Sequence, residues 1–359
     1  MKIGIDGFSL ARNDSGIEIV TKELIHGLSQ NNSVEVYCYK SISLPPNSRA
    51  TLKHSGYSNP GSLKKLKWEL FDIARLVSPD IQIFHSPHFT LPISGISKAR
   101  KIITLLDLAF LRCPEFFDFK TRMFFHLTLH KSLKSADQII CISDSAFQDT
   151  LHYFPFTKGK IHRVYLGYKD YSLIRPDNTI LKDLNISSRF LLMIGTINPR
   201  KNIERAIEAF KIVSRGLDIE LVIVGTLKKE YNFQTTDPRI KFTNFISDEK
   251  LAALYQNAEL LLFPSFYEGF GFPILEAMSV GLPVVTSNTS SMPEVSGYPK
   301  ELLCDPADIR SISSLIHKFL TNNIKFSFKE HARVNVKRFS WKKMISETLD
   351  VYEHAQKDI

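Results

Sequence analysis

The sequence predicts an α/β protein with two Rossmann-like domains that face each other across a cleft. The chain has 359 residues, which fits two domains of about 150–200 residues better than one core. Strand-like apolar runs alternate with amphipathic helical stretches, a pattern typical of parallel sheets covered by helices. This alternation stops in a polar stretch at residues 169–189 and then starts again, which predicts the domain boundary.

In the first half, apolar runs predict strands at residues 2–6, 34–39, 81–86, 101–108 and 138–143. A helix is predicted over residues 16–29, because Ile17, Val20, Leu24 and Leu28 recur at helical spacing.

In the second half, strands are predicted at residues 190–195, 219–225, 240–245, 258–265 and 283–287. A helix over residues 201–216 carries Ile203, Ile207 and Phe210 on one face and is predicted to stop at Gly216. Doubly wound sheets bind ligands at the carboxyl ends of their strands, so the loops after these strands are the expected site.

Composition narrows the class of protein. The start of the chain lacks the basic region and apolar run of a signal peptide, and no stretch has the length of a membrane-spanning helix. The four cysteines are scattered without C-x-x-C spacing, which argues against a disulfide framework or a structural zinc and favours a cytoplasmic protein. No metal is expected.

The net charge of +9 favours anionic partners such as nucleic acid, anionic lipid or phosphorylated substrates. Nucleic acid is not expected, because the basic residues are dispersed and no reading motif is present. A nicotinamide-dependent dehydrogenase is not expected either, because no G-x-G-x-x-G opens a helix after the first strand of either half.

The stretch PSFYEGFGFPILEAMSVGLPVV, residues 264–285, places Glu268 and Glu276 around a Gly-Phe-Gly turn. A helix is predicted over residues 273–280, and the free amides at its start attract phosphate. Glu276 would lie in its first turn, where a carboxylate either caps the helix or accepts hydrogen bonds from sugar hydroxyls. Glu268 could bind a second sugar, and the two glutamates together with this loop favour ligand binding.

A second strand–loop–helix unit carries Arg200 and Lys201 where its helix is predicted to open. Cations there oppose the helix dipole, and an anionic ligand would offset that cost. The alternative is a solvated surface pair. Taken together, the two strand–loop–helix segments indicate a ligand with both phosphates and hydroxyls, namely a nucleotide diphospho-sugar.

These segments resemble family 4 of the retaining glycosyltransferases. The resemblance rests on Gly195, the run Pro199-Arg200-Lys201-Asn202, VIVG at residues 222–225, and residues 242–285. It is weaker in the first half, at Gly16 and residues 85–92, 105–117 and 141–147. Residues 338–355 resemble the closing helix, which in the family crosses back to the first domain.

The resemblance implies a GT-B fold and transfer of a hexose with retention, without a cofactor beyond the nucleotide diphospho-sugar substrate. Residues 1–170, with a crossing helix at 340–359, would bind the acceptor, and residues 171–339 would bind the donor. Arg200 and Lys201 would hold the diphosphate and act with Glu268 in catalysis. Alternatives are a non-catalytic nucleotide- or glycan-binding protein, an epimerase, or a glycogen-synthase-like enzyme.

The resemblance also assigns donor-binding residues. Glu276 would bind ribose, while Glu268 and the amides of Phe270 and Gly271 would hold the donor sugar. The full set of expected donor-binding residues besides Glu268 is Gly16, Thr196, Phe245, Ile246, Gly269, Phe270, Gly271 and Glu276.

In the first domain the candidates are Asp107, His85 and His88. Relatives commonly carry His-Asp where this chain has Leu106 and Asp107, and that histidine commonly reaches the 6-hydroxyl of the donor sugar. A leucine there predicts a 6-deoxy donor, because an unpaired buried hydroxyl is unfavourable. Alternatively His85 or His88 reaches the same place, which keeps an ordinary hexose such as mannose possible.

A basic amphipathic helix is predicted over residues 62–77, where Trp68 accompanies Lys64, Lys65 and Lys67. It suits an anionic membrane surface, or it packs on the core with its lysines in solvent. Residues 121–136 are similarly ambiguous. A membrane-facing side would favour a lipid-linked glycan acceptor in the assembly of a surface polysaccharide such as O-antigen or capsule, with the protein peripheral on the inner face of the membrane.

Overall fold

A computed structural model describes residues 1–11, 15–57, 61–93, 95–96, 98–187, 189–226, 235–321 and 327–357. The chain forms two compact units. Unit 1 is Met1–Gly167 together with Ser340–Ile359, and unit 2 is Tyr168–Phe339. The boundary therefore lies at 167/168 rather than at the expected 170/171.

The described part of unit 1 contains a parallel sheet of seven strands in the order β3-β2-β1-β4-β5-β6-β7. The strands are β1 (Lys2–Asp6), β2 (Ser33–Cys38), β3 (Thr51–His54), β4 (Ile83–Ser86), β5 (Arg100–Leu105), β6 (Gln138–Cys141) and β7 (Ile161–Arg163). In the central register Ile5 pairs with Val36 on one side and with His85 on the other. The edge strands β3 and β7 were not predicted, because they are short and largely exposed and so lack an apolar run.

The described part of unit 2 contains a parallel sheet of six strands in the order β10-β9-β8-β11-β12-β13. The strands are β8 (Arg189–Ile194), β9 (Ile219–Val224), β10 (Ile240–Thr243), β11 (Leu260–Phe263), β12 (Val284–Ser287) and β13 (Leu303–Cys304). All six residues of β9 are buried, as expected for a strand covered on both faces.

The α-helices of both units are α1 (Ser15–Leu28), α2 (Ser62–Lys67), α3 (Ile73–Leu76), α4 (Ala109–Arg112), α5 (Phe119–Ser135), α6 (Asp144–Tyr153), α7 (Thr179–Asp183), α8 (Ile203–Val213), α9 (Asp248–Asn257), α10 (Phe272–Ser279), α11 (Met292–Ser296), α12 (Ile309–Leu320), α13 (Phe328–Asn335) and α14 (Trp341–Lys357). None of the helices in the described ranges is both long enough and apolar enough to span a bilayer.

Helix α14 belongs to unit 1 and buries one face. Its buried residues recur at helical spacing: Met344, Thr348, Val351, Tyr352 and Ala355. It also packs on α1, where a side chain in place of Gly27 would lie 2.4 Å from Ile345 Cγ1. Residues 358 and 359 of the expected closing helix lie outside the described residues.

The predicted helix over residues 62–77 is α2 and α3 joined by a π-helical turn, Trp68–Asp72. Trp68 is 0% exposed. Its ring stacks on Phe8 at 6.0 Å and meets Tyr39 edge-on at 5.9 Å. The interpretation of Trp68 as a membrane-facing aromatic is therefore wrong, because this residue is part of the core of unit 1.

Candidate active site

In unit 2 the two predicted loops meet at the middle of the sheet. One loop follows β8 and the other follows β11, the neighbouring strands from which the strand order runs in opposite directions. Loops at such a point leave an opening between them where α/β proteins bind ligands. The Phe266 amide donates to the Arg200 carbonyl at 2.9 Å, which ties the two loops together.

The two loops join through a buried ion cluster. Lys201 Nζ lies 2.7 Å from Glu268 Oε1, and Arg200 donates to Glu268 Oε2 at 3.1 Å. Glu268 is only 7% exposed. Burial acts to raise the pKa of Glu268, but the charges of Lys201 and Arg200 outweigh it and lower this pKa to about 2. The carboxylate is therefore ionised throughout the neutral range.

The cluster changes the interpretation of Arg200 and Lys201. From the sequence, an anionic ligand was expected to offset the cost of cations at a helix start, but Glu268 already neutralises one of the two charges. Helix α8 also starts at Ile203, later than the predicted residue 201, because Pro199–Lys201 form a 3-10 turn. The three side chains keep a net charge of +1, which suits a phosphate ligand.

Gly195 makes room for the Lys201 side chain, and Gly225 makes room for the backbone at Gly195. A Cβ on Gly195, where φ is +137°, would lie 3.0 Å from Lys201 Cε. A Cβ on Gly225, where φ is +151°, would lie 2.0 Å from the Gly195 carbonyl oxygen. Lys201 Nζ in turn sits 4.7 Å from the centre of the Phe263 ring, a cation–π contact. Close packing thus fixes the ammonium group in place.

The loop Glu268–Gly271 presents backbone amides. Ser291 Oγ lies 2.9 Å from the carbonyl oxygen of Glu268 and 2.8 Å from that of Phe270, so its one proton is within hydrogen-bond distance of both carbonyls. No group in the described part of the chain accepts the N–H of Gly269, Phe270 or Gly271. These amides precede helix α10 and form a site suited to an anion.

Glu276 has a different environment from Glu268. Helix α10 starts at Phe272 rather than at the predicted Pro273, so Glu276 lies beyond the first turn and does not cap the helix. Its Oε2 instead accepts a hydrogen bond from Tyr255 Oη at 2.7 Å. Burial raises the pKa of Glu276 to about 7. The partly buried carboxylate can therefore exchange a proton near neutral pH.

The remaining predicted donor-binding residues of unit 2 follow β8 and β10. Thr196 is partly buried, and its carbonyl accepts from Asn198 Nδ2 at 3.1 Å. Phe245 is 88% exposed and Ile246 is partly buried, both after β10. An exposed aromatic ring at the carboxyl edge of the sheet is available for stacking.

In unit 1, Gly16 is exposed in the first turn of α1, and a side chain there would meet no atom within 4 Å. Asp107 accepts the Ala109 amide at 3.0 Å, which ends β5 at Leu105 and starts α4. This turn is why the predicted strand over residues 101–108 stops early.

His85 is a buried structural residue of unit 1. Its Nδ1 lies 2.6 Å from Tyr352 Oη on α14, and its Nε2 lies 2.7 Å from Thr104 Oγ1. Burial lowers the pKa of His85 to about 3, so the ring is neutral. Both ring nitrogens are occupied within the unit, and the expectation that His85 could serve a donor sugar is not supported by this geometry.

His88 is also buried in a polar network. Its Nε2 lies 2.8 Å from Asp6 Oδ2, and its Nδ1 lies 3.0 Å from Thr90 Oγ1 and 3.4 Å from Glu69 Oε1. The network ties the end of β1 to the segment after β4. Relatives commonly carry a histidine at position 106, where this chain has a buried leucine. Neither His85 nor His88 has a free nitrogen that could take the place of that histidine.

Sequence reasoning missed several residues that shape the site. Asn202 adopts a left-handed conformation (φ +60°) and its Nδ2 donates to the Pro264 and Pro306 carbonyls at 2.9 and 2.7 Å. Asn202 belongs to the run that carries the family resemblance, but its sequence context predicts no role for it beyond the tolerance of asparagine for this conformation. Ser291 and Tyr255 act on residues 21 to 23 positions away, so no local pattern marks them. The described ranges hold no group of three or more His, Cys, Asp or Glu side chains arranged for a metal ion.

Comparison with known proteins identifies the family. Residues 15–170 match the model "Glycosyltransferase Family 4", and residues 178–339 match "Glycosyl transferases group 1". The O-antigen chain mannosyltransferase B of Escherichia coli is 32% identical over 288 residues, which cover 76% of this chain and 74% of that protein. The chain is a family 4 glycosyltransferase.

Solved structures support the GT-B fold of this glycosyltransferase. The sucrose-phosphate synthase of Thermosynechococcus elongatus superimposes with a TM-score of 0.78 at 19% identity, covering all of both chains. HepE of Anabaena, solved in complex with UDP and glucose, gives a TM-score of 0.72 at 16% identity, covering 99% of this chain and 100% of that one.

The pKa of Glu276 is higher in the folded protein than in the unfolded chain, which predicts a pH-dependent effect of Glu276→Gln on stability. The folded-state pKa, about 7, lies above the ordinary 4.5, so the contribution of Glu276 to stability is present below pH 4.5 and lost as pH rises through 7. A glutamine does not ionise and so avoids this loss. In thermal melts Glu276→Gln should therefore raise the unfolding temperature by a few degrees at pH 8 and by less at pH 5.

The matched control is Glu259→Gln, since hydrogen bonding to Arg189 lowers the pKa of Glu259. This variant should gain no stability at pH 8. A Glu276→Gln effect that is the same at both pH values would contradict the assigned titration.

Proposed function

We propose that this glycosyltransferase moves a hexose from a nucleotide diphospho-sugar to a glycan acceptor, with retention of anomeric configuration, in the assembly of a surface polysaccharide. The observation that carries the proposal is the cluster of Arg200, Lys201 and Glu268 beside three backbone amides to which the described residues offer no acceptor. The name of the E. coli relative, an O-antigen chain mannosyltransferase, supports a mannose-type donor and this pathway class.

Arg200 and Lys201 would hold the diphosphate. In the transition state negative charge develops on the leaving nucleoside diphosphate, and cations already fixed in place stabilise that charge without reorganisation. Lys201 is fixed by Glu268, Phe263 and the backbone at Gly195. The amides of Gly269, Phe270 and Gly271 add donors that need no proton transfer.

Glu268 would bind hydroxyls of the transferred sugar. Because its pKa is about 2, it carries no proton to donate at neutral pH, so it acts as a hydrogen-bond acceptor. Its pairing with Lys201 and Arg200 keeps the carboxylate rigid. A rigid acceptor favours a single orientation of the sugar relative to the diphosphate. Glu276 would accept hydrogen bonds from the ribose, and Phe245 would stack on the base.

The reaction can be tested by incubating the protein with GDP-, UDP- and dTDP-hexoses and measuring nucleoside diphosphate release, with and without glycan acceptors. We expect release from a mannose-type donor and a product that retains the donor's anomeric configuration by NMR. No release and no binding with every donor, or inversion of configuration, would contradict the proposal.

Leu106 favours a second donor, a 6-deoxyhexose, because leucine cannot pair with a 6-hydroxyl and neither His85 nor His88 has a free nitrogen. The test compares kcat/KM for GDP-mannose and its 6-deoxy analogue GDP-rhamnose. If Leu106 sets the preference, the parent should favour the 6-deoxy sugar about five-fold or more, and Leu106→His should reverse this. A parent that prefers the 6-hydroxy sugar rules out the deoxy donor.

We also propose that unit 1 binds an anionic membrane surface through α5, which would bring the enzyme to a lipid-linked acceptor. Four apolar side chains on α5 are exposed: Phe119 (70%), Met123, Phe124 and Leu127. They are accompanied by four exposed cations on the same helix: Lys120, Arg122, Lys131 and Lys134. Exposed apolar residues beside cations suit an anionic lipid interface. The helix over residues 62–77 is a weaker candidate because Trp68 is buried.

Replacing Lys120, Lys131 and Lys134 by Glu should abolish flotation with vesicles that contain phosphatidylglycerol. Each cation near the surface contributes about 1 kcal/mol, and binding by the parent should weaken with salt. The matched control is Lys64, Lys65 and Lys67 changed to Glu, which should leave flotation largely intact. A parent that does not float, or floats equally at all salt concentrations, would contradict attachment through these charges.

A further inference from the structure

Tyr255 makes the one hydrogen bond that the described residues give to the Glu276 side chain, from Tyr255 Oη to Oε2 at 2.7 Å. Tyr255 lies on α9 and is fully buried, whereas Glu276 is partly exposed. Oε1 of Glu276 receives no hydrogen bond within the described part of the chain. One oxygen is therefore fixed by the protein and the other is available to a ligand.

The Tyr255 ring is itself held in place. It packs against Tyr171 with the ring centres 4.9 Å apart. Tyr171 Oη donates to Asp248 Oδ1 at 3.1 Å, and the same carboxylate pairs with Lys169. Gln256 Nε2 also donates to the Tyr171 carbonyl at 3.1 Å. These contacts hold the Tyr255 hydroxyl, which donates to Glu276, in a fixed position.

The charge state of Glu276 depends on the groups that face it. These groups are Tyr255 on α9, Lys169 and Asp248 beside Tyr171, and Lys201 from the loop after β8. Burial and the Asp248 carboxylate favour the neutral acid, while the phenol and the two lysines favour the carboxylate. The ionised form accepts hydrogen bonds more strongly and has no proton to compete with a sugar hydroxyl.

We propose that Tyr255 is a positioning residue of the donor site: it fixes one oxygen of Glu276 and favours the ionised carboxylate, whose other oxygen accepts from the ribose. The inference rests on the proposed nucleotide-sugar function. It implies that affinity for a nucleoside diphosphate increases as Glu276 loses its proton, and that loss of the phenol hydroxyl moves this increase to higher pH.

The test is calorimetric titration of GDP and UDP into Tyr255→Phe at pH 6, 7 and 9. At pH 7 the affinity should fall about ten-fold, since a hydrogen bond to a charged group is lost and Glu276 becomes more protonated. At pH 9 most of the loss should be recovered. Titration of the nucleotide itself is common to all variants and cancels in the comparison.

Two variants separate positioning from a general structural role. In a Glu276→Gln background, Tyr255→Phe should weaken binding no further. Tyr171→Phe removes the bond to Asp248 but leaves the Tyr255 hydroxyl in place, so its pH dependence should match that of the parent. Equal loss at every pH, or a further loss in the Glu276→Gln background, would overturn the proposal.

A readout without nucleotide distinguishes this inference from the proposed function. The gain in unfolding temperature from Glu276→Gln grows as pH rises above 4.5 and levels off near the folded-state pKa of Glu276, so the pH at which it levels off reports that pKa. Tyr255→Phe should move that pH upward whether or not any nucleotide binds, and an unchanged value would overturn the inference. Absence of GDP and UDP binding to the parent, together with the upward shift, would count against the proposed function alone.

Discussion

The pairing of Glu268 with Lys201 and Arg200 is the interaction on which the donor site depends. A buried carboxylate is strongly unfavourable unless it is paired, and this one receives a cation at each oxygen. Glu268 lies in the loop after β11 and both cations lie in the loop after β8, so the cluster also fixes the two loops relative to each other. The nearby backbone fits this arrangement: Gly195 leaves space for the lysine, Gly225 leaves space for the backbone at Gly195, and Asn202 turns the chain directly after that lysine.

The two glutamates of one loop and helix have opposite electrostatic environments. Two cations lower the pKa of Glu268 to about 2, whereas burial raises that of Glu276, which no cation of the described residues contacts, to about 7. One carboxylate is permanently charged and rigid, and the other responds to pH and to its tyrosine neighbour. This difference supports separate roles for the two residues on one donor, with Glu268 at the sugar and Glu276 at the ribose.

The sequence predicted the central strands and the site loops because these features have local signals. Continuous apolar runs mark buried parallel strands, and glycines beside a helix start mark an anion site. The short strands β3, β7 and β13 lack such runs and were missed. The sequence also could not predict which distant residues would contact each other. His85 contacts Tyr352, which lies 267 positions further along the chain, and only the fold shows that both nitrogens of His85 are occupied. The same holds for Trp68, whose helix has a membrane-like pattern but whose ring lies in the core.

The most direct measurement of the central claim is the affinity of a nucleoside diphosphate for Lys201→Met and Glu268→Gln by calorimetry. Lys201→Met leaves Arg200 paired with Glu268 but removes the net positive charge, so binding should weaken about ten-fold or more. Glu268→Gln removes the neutralising carboxylate, so binding should be retained or strengthened while turnover falls. Unchanged affinity in Lys201→Met, or equal loss of affinity in both variants, would contradict the account.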